Sequence, residues 1–536
     1  MITPRRVYWI LSVATTITIE LFAMRTPLAR AAYAITLPFI ALGLHDLIQR
    51  RHSLLRNYPI IGHGRYLMES VRPELQQYFV ESNTDGMPFD RSLRSLVYQR
   101  AKLQNDTVPF GTQLDVYAPG YEWMEHSIAA RHAKKTDPRC VFGGRSGGQT
   151  YDASILNISA MSFGSLSARA IHSLSAGARA GRFAHNTGEG GVSPYHLEGG
   201  GDLIWQIGTG YFGCRSLSGD FDPAAFSERV AHPNIKMVEI KLSQGAKPGH
   251  GGILPGVKVT AEIANIRGVP RGQDVLSPPS HSAFNCPEGL LRFLQQLREA
   301  SQGKPVGFKL CVGRPHEFLA ICKAMRTTGI IPDFIAVDGG EGGTGAAPLE
   351  FSNRMGAPLY EGLSFVNNAL IGCGVRSQIR VIAGGKITTG FDIARARALG
   401  ADTCYAARAM MFAIGCIQAR RCNSNDCPVG VATQNPALAS GIDVADKAER
   451  VELFHRHTVT AFAELVAAAG LEGHQEVQPR HIHRRVSPTE VRSFAELYPA
   501  LAPNALIDDA VRSSVRPEWQ HWWSEATEKH FGPAPQ

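Results

Sequence analysis

The 536-residue chain carries little charge for its size, with only 19% Asp, Glu, Lys and Arg, and no dense Lys/Arg block accompanies its net charge of +8. A scattered basic excess lacks the footprint of a nucleic-acid binder. With 44% hydrophobic residues the composition also excludes a disordered or fibrous protein and fits a packed α/β enzyme. There is no internal repeat and no low-complexity tract. No signal-peptide cleavage pattern follows the N-terminus, and the ten cysteines are dispersed apart from one triplet. The main body is therefore expected in a reducing, cytosolic setting. No G-x-G-x-x-G follows the first candidate strand, which counts against a doubly wound dinucleotide-binding sheet.

The triplet is the sharpest feature that is present. Cys416, Cys422 and Cys427 stand in a C-x5-C-x4-C run closed by Pro428. Thiolates gathered by a tight loop hold iron–sulfur clusters, and three of them suit a cluster with three ligated irons. Buried cysteines without a metal are the other reading.

The N-terminus differs in kind. Val7 to Met24 is apolar or hydroxylated except at Glu20, and Ala31 to Leu44 is a second apolar run. Arg5 and Arg6 precede the first run, Arg25 and Arg30 lie between the two, and Arg50 and Arg51 follow. Two short spans joined by a turn predict a membrane hairpin with both ends in the cytosol, so that the protein sits at the cell membrane with its catalytic body in the cytoplasm. A pair of core helices is the competing reading.

Four regions are expected: the hydrophobic hairpin at 1–50, a lead-in at 51–150 that wraps a larger domain, the main domain at 151–435, and a C-terminal helical extension at 436–536. In the lead-in, Pro73 suits the first turn of a short helix. From about Ser154, β-rich runs alternate with helical segments. The runs are 154–160, 183–186, 211–215, 237–242, 306–311, 334–337, 381–383 and 403–406. Eight strands alternating with helices predict an α/β fold of the (β/α)8 TIM-barrel type. Beyond 436, Ala445–Ala469 reads as a long amphipathic helix, and Ser487-Pro-Thr-Glu490 as the capping box of another. His455 and His457, like His481 and His483, form H-x-H pairs with two readings, a metal site or solvated histidines; positions i and i+2 do not share a helix face, which favours the second.

Barrel chemistry gathers at the C-terminal ends of strands. Those ends carry Asn186-Thr-Gly-Glu189, Lys241 to Gly252, Asp338 to Gly345, Gly384-Gly385-Lys386 and Ala407-Arg408. Glycines after the late strands let backbone N–H groups approach a phosphate. Lys309, inside the fifth strand, either faces a flavin or pairs with a carboxylate such as Asp338. Lys241, Gln244, Lys247 and Arg267 offer cations and amide donors to a dicarboxylate.

Together, the segments Asn186–Gly191, Lys241–Gly252, Leu254–Val259, Gly342–Ala346 and Gly415–Gln434 resemble the FMN-binding domain of glutamate synthase, over about 158–435. The resemblance implies a (β/α)8 barrel that holds FMN and a [3Fe–4S] cluster ligated by Cys416, Cys422 and Cys427. It implies that Glu189, Lys241 and Lys309 act in catalysis and that Gln244, Lys247 and Arg267 bind substrate. FMN would contact Ala160, Met161, Ser162, Asn186, Lys309, Asp338, Gly343, Thr344, Gly384, Gly385, Ala407 and Arg408. The implied activity is reductive amination of 2-oxoglutarate or a related 2-oxo acid with ammonia. Electrons would come from ferredoxin or a reductase partner. Arg420 and Arg421 either offset the cluster's charge or lie on a helix surface.

Two departures bear on the substrate. His250 and Ile253 stand where the family's loop has glutamate and glutamine, and Pro279-Ser280-His281-Ser282-Ala283 replaces its Pro-Pro-His-His-Asp. The chain does not open with a glutaminase cysteine, and neither a glutaminase domain nor a large C-terminal β-helix is expected within it. Two alternatives follow: a membrane-linked FMN dehydrogenase that feeds a quinone, and an electron-relay subunit that has lost substrate binding.

Overall fold

The computed structural model describes residues 3–133 and 137–532. The chain divides into two compact units, residues 1–91 and 92–536.

In the second unit eight parallel strands close into a barrel. They are β1 (Leu156–Ile158), β2 (Ala184–Asn186), β3 (Asp202–Ile207), β4 (Ile235–Lys241), β5 (Val306–Cys311), β6 (Phe334–Asp338), β7 (Arg380–Gly384) and β8 (Thr403–Ala406). The strands are buried along almost their whole length because helices cover the barrel's outer face, and polar residues such as Asn186, Glu239 and Lys309 stand among the apolar ones. The expected α/β barrel is thus present, with seven of its eight strands in the expected segments. The exception is the third, which is Asp202–Ile207 and not 211–215. Tyr211 has a φ of 48°, and Gly213 a φ of 89°. A left-handed pair of this kind forms a turn and cannot extend a sheet.

The outer helices begin at side-chain caps. Ser167 starts Ala168–Gly181 by accepting a bond from the Ala170 N–H, and Thr389 with Asp392 forms a capping box for Gly390–Ala398. An antiparallel hairpin, Arg139–Gly143 with Thr150–Ser154, sets Phe142 and Tyr151 against Met237, Phe334 and Ile382. Aromatic side chains thereby plug the N-terminal end of the barrel, opposite the chemistry-bearing strand ends.

The long helix Val444–Ala468 packs on the barrel's first helix, with Asp443 capping its N-terminus. His455 on this helix is not solvated: it is buried, stacks on Phe183 at 3.9 Å, and lies 3.0 Å from Ser154 Oγ. His481 is buried as well. The extension is only partly helical. Ile482–Ser487 and Glu490–Ser493 form a hairpin, and Glu122–Met124 adds a third antiparallel strand. Ser487-Pro-Thr-Glu490 is the turn of that hairpin and not a helix cap. The box that does cap a helix is Ser493 with Glu496, at the start of Phe494–Leu497.

In the first unit, helix Pro4–Ala23 is followed by a helical stretch from Pro27 to Ile48, and both are long and apolar enough to cross a membrane. Glu20 pairs with Arg30 at 3.0 Å beside the turn between them. Pro73 lies inside helix Gly62–Leu75 and does not begin one. It falls in the last turn, where the helix continues into a short wider-pitched segment, Gln76–Val80.

Candidate active site

Sheet register sets the charges at the barrel mouth. Lys241 at the end of β4 pairs in register with Lys309 of β5. Both are buried, so two ammonium groups stand side by side away from water. Each has a carboxylate: Lys241 Nζ lies 3.0 Å from Glu189 Oε1, and Lys309 Nζ lies 3.4 Å from Asp338 Oδ2. A buried charge persists only when so compensated. Burial works against the charge on Lys309, but Asp338 and Glu239 outweigh it and hold the ammonium above the usual lysine range. Lys241 goes the other way: burial, with Lys309 alongside, outweighs Glu189 and lowers it. Burial also opposes ionisation of Glu189, yet Lys241, Lys247 and Arg267 keep it a carboxylate, below the usual range.

Beneath these pairs the barrel interior holds a polar knot. Glu239 of β4 accepts bonds from Asn186 Nδ2 at 2.9 Å, Gln206 Nε2 at 2.6 Å and the Tyr405 hydroxyl at 3.0 Å. Asn186 in turn accepts from the Gly188 N–H at 3.0 Å, which fixes the loop that carries Glu189. Sequence reading found Asn186 but missed Glu239, Gln206 and Tyr405. The signal for Glu239 was available, since alternate residues of a strand share a face and Lys241 follows two positions later.

A cavity opens above, enclosing about 1120 Å³ with its open mouth included. Glu189, Gln244, Lys247 and Arg267 line one side, and Gly343, Thr344, Ala407 and Arg408 another, with the Ala160–Ser162 backbone between them. Lys247 Nζ donates to the Ala346 carbonyl at 2.9 Å, and burial drives it down to about 8. Arg267 donates to the Phe163 carbonyl at 3.0 Å and lies over the Phe212 ring, and burial lowers it to about 10. Its Nε is buried with no hydrogen-bond partner, a donor left over for a ligand or water. Burial lowers Arg408 to about 10 as well. A Cβ on Gly343 would stand 2.9 Å from the Arg408 guanidinium, so a side chain there would have to displace that cation. Ile253 lines the same cavity, while His250 turns to the Gly251 carbonyl and the Phe351 ring.

Of the residues expected to meet flavin or substrate, Asn186, Lys241, Lys309, Asp338, Gly384 and Gly385 do not line this cavity. Gly384 and Gly385 make room for acidic side chains, since a Cβ there would lie 2.7 Å from Asp338 Oδ1 and 3.1 Å from Glu341 Oε1 respectively. His281, also missed from sequence, backs the site by bonding the Lys241 carbonyl at 2.9 Å and the Tyr211 hydroxyl at 3.0 Å.

The cysteine loop borders the cavity through Cys422. Lys258, buried, donates to the carbonyls of Ser165 at 2.7 Å and Cys422 at 2.9 Å. The Tyr98 hydroxyl donates to the Cys416 carbonyl at 2.6 Å, and the Gln418 N–H to Cys416 Sγ at 3.5 Å. Burial, and then the neighbouring thiols, push Cys416 up to about 12, and burial raises Cys422. Among the described residues, no three of His, Cys, Asp and Glu converge at single-ion spacing. Arg420 and Arg421 are exposed on a loop and not on a helix.

Residues 149–472 match the model of the conserved region in glutamate synthase. Over 484 residues the chain is 37% identical to the glutamate synthase large subunit-like protein YerD of Bacillus subtilis, covering 83% of this chain and 92% of that one. It is 34% identical to the archaeal glutamate synthase [NADPH] of Methanocaldococcus jannaschii over 66% of this chain and 65% of that one. For the archaeal-type enzyme of Thermotoga maritima the figures are 35%, 59% and 61%, so the chain spans less than two thirds of these two enzymes. Among solved structures, a flavocytochrome b2 with sulfite bound gives a TM-score of 0.42 at 12% identity, covering 89% of this chain and 96% of that one. Likeness this weak bears on neither the site nor its chemistry.

Proposed function

We propose, for a chain that belongs to the glutamate synthase family, that its barrel is an FMN- and iron–sulfur-dependent oxidoreductase that aminates a 2-oxo acid reductively. The observation that carries this reading is the mouth of the barrel, where buried cations face a cavity edged by open glycine backbone. A phosphate-bearing flavin fits that edge: Gly343, Thr344, Ala407 and Arg408 would hold its phosphate end, and Lys309 and the Ala160–Ser162 backbone its ring. Gly384 and Gly385 would support that end indirectly, through Asp338 and Glu341. The thiols of Cys416, Cys422 and Cys427, carried on one short loop that borders the cavity through Cys422, would hold a [3Fe–4S] cluster, with the Gln418 N–H donating to Cys416 Sγ. When bound, FMN supplies hydride transfer and the cluster one-electron delivery.

The chain's own residues do the rest. Lys247 and Arg267 hold the carboxylates of a dicarboxylic 2-oxo acid such as 2-oxoglutarate, and Gln244 donates to it. Condensation with ammonia releases water and leaves an imine, and a hydride with a proton completes the amino acid. The Glu189–Lys241 pair, both partly withdrawn from water, holds that proton at the substrate nitrogen. Ile253 in place of an amide removes one donor, which favours a 2-oxo acid less polar than 2-oxoglutarate at that position. The electron donor is a ferredoxin or a reductase partner. The hairpin anchors the chain to the cell membrane, with the barrel in the cytoplasm. Its helices favour this reading because only 17% and 11% of their apolar windows are buried. They also support a second reading, a membrane-linked dehydrogenase that feeds a quinone.

The test is anaerobic. The reduced holoprotein should regain its oxidised flavin absorbance on adding a 2-oxo acid with ammonium, and not with either alone. If no 2-oxo acid does so but a quinone does, the dehydrogenase reading replaces this one.

A further inference from the structure

A groove in the first unit has no part in barrel chemistry. It runs between the two N-terminal helices and the turn at 59–61, enclosing about 1060 Å³ with its open side included. Val7, Leu11 and Phe39 form its walls, and Ile60 and Ile61 its lip. Four hydroxyl-bearing residues line it, Tyr8, Ser12, Thr15 and Thr36. The Tyr8 hydroxyl donates to the Ile40 carbonyl at 2.6 Å and that of Thr36 to the Ala32 carbonyl at 3.2 Å, and every other lining side chain is apolar. The groove therefore offers hydrocarbon contact.

The lip is built at a cost. Ile60 has a φ of 66°, a conformation that β-branched residues avoid, and such strain persists only where surroundings impose it. Asp46 imposes it. Fully buried, it accepts the Ile60 N–H at 2.9 Å and lies 3.0 Å from His63 Nε2. The result keeps Ile61 74% exposed on the rim. Charge is polarised along the same unit. Arg5, Arg6, Arg50, Arg51 and Arg56 are exposed at the end that holds the lip. Arg5 ties that end together by donating to the Arg56 carbonyl at 2.6 Å and to Asn57 Oδ1 at 2.7 Å. Of basic residues the opposite end carries only Arg25 and Arg30, and Arg30 is paired with Glu20, which with buried Asp46 makes up the acids of residues 3–61.

We propose that this groove holds one acyl chain of an anionic phospholipid, with the phosphate at the arginine-bearing end. The proposal rests on the membrane reading of the hairpin. Attraction of roughly 1 kcal/mol per basic residue near an anionic surface makes at least a fivefold preference over zwitterionic lipid the expected result.

The full chain is floated on vesicles of phosphatidylglycerol or phosphatidylcholine, then extracted in mild detergent and examined by native mass spectrometry. The wild type should float and keep about one phosphatidylglycerol per chain. Ser12→Trp, which fills the groove, should still float but lose that lipid at least fivefold. Ile60→Gly, which relieves the strain and removes a lip side chain, should do the same. Leu21→Trp, outside the groove, should keep the lipid. A wild type that fails to float overturns both the membrane reading and the groove. One that floats overturns the groove alone if it keeps no lipid, keeps both lipids equally, or keeps phosphatidylglycerol in Ser12→Trp and Ile60→Gly.

Discussion

In the barrel unit Lys241, Lys247, Lys258 and Lys309 are all buried, whereas in the N-terminal unit Trp9, Ile10, Leu11, Phe22 and Leu28 are each at least half exposed. The two regions invert the usual sorting of side chains in opposite directions. Burying lysine costs several kcal/mol per charge unless partners offset it, so four buried lysines signal an anion-binding purpose. Exposing a row of large apolar groups is equally unfavourable in water, and it signals a surface meant for another medium. Each unit also withdraws a carboxylate from water, Glu189 in part and Asp46 fully. Glu189 faces a cavity and answers to three cations, while Asp46 faces a turn and holds its shape.

The strongest way to break the contrast is Glu189→Gln, which leaves buried Lys241 without its partner. Removing one member of such a pair costs about 3–5 kcal/mol, and urea unfolding of the barrel should show it. Glu189→Gln with Lys241→Met should recover part of that loss. The next effect is on binding. Lys247 is charged below about 8, so KM for a dicarboxylate should rise as pH climbs through 8. Lys247→Met should raise KM roughly 10- to 100-fold at neutral pH, the value of one charge-assisted bond, and abolish that pH dependence.

A third effect concerns stability in acid. His196 and His281 are lowered to about 4 and His455 to about 3, in each case chiefly by burial. An unfolded chain binds protons at these sites from about 6.5 downward and the folded one does not. Stability should therefore hold above pH 6.5 and fall below it, by up to ~1.4 kcal/mol per histidine per pH unit. Denaturation series from pH 7 to 4.5 would show the slope, and His455→Phe should reduce it. The smallest effect is expected in the other unit. Ile17→Ser or Leu21→Ser, both on exposed positions, should leave barrel unfolding within about 0.5 kcal/mol of wild type while lowering the vesicle-bound fraction.

What sequence reading reached, and what it missed, follows the same physics. Strands such as Val306–Cys311 and Thr403–Ala406 were legible because runs buried on both faces are short, apolar and bounded by polar ends. The third strand was misplaced because Gly208, Gly210 and Gly213 bracket a turn whose aromatic residues imitate a strand, while the true run, Asp202–Ile207, includes Gln206. That glutamine belongs inside because it bonds Glu239, a partner separated by 33 residues that no local pattern reveals. Long-range partners explain the other errors too. His455 reads as a surface histidine until Phe183 and Ser154, some 300 residues earlier, are set against it. The Ser487–Glu490 stretch has the letters of a helix cap, but the strands on either side of it, Ile482–Ser487 and Glu490–Ser493, pair with each other, and the first also pairs with Glu122–Met124, so these four residues serve as a hairpin turn. The mouth residues Glu189, Gln244, Lys247 and Arg267 were legible through the resemblance, and the structure brings them to one cavity. The knot beneath them was not.

The in-register neighbours Lys241 and Lys309 carry one more consequence. The Leu242 N–H donates to the Lys309 carbonyl at 2.8 Å, so backbone bonds hold the two cationic strands together at that height and the like charges cannot drift apart. With Lys247 and Arg267 nearby, positive charge exceeds negative around Glu189. Any anion that binds there relieves a repulsion otherwise carried by the fold itself. Ligand and scaffold are then thermodynamically linked, and a dicarboxylate should raise the melting temperature of the barrel in proportion to the logarithm of its concentration, whether or not it is turned over.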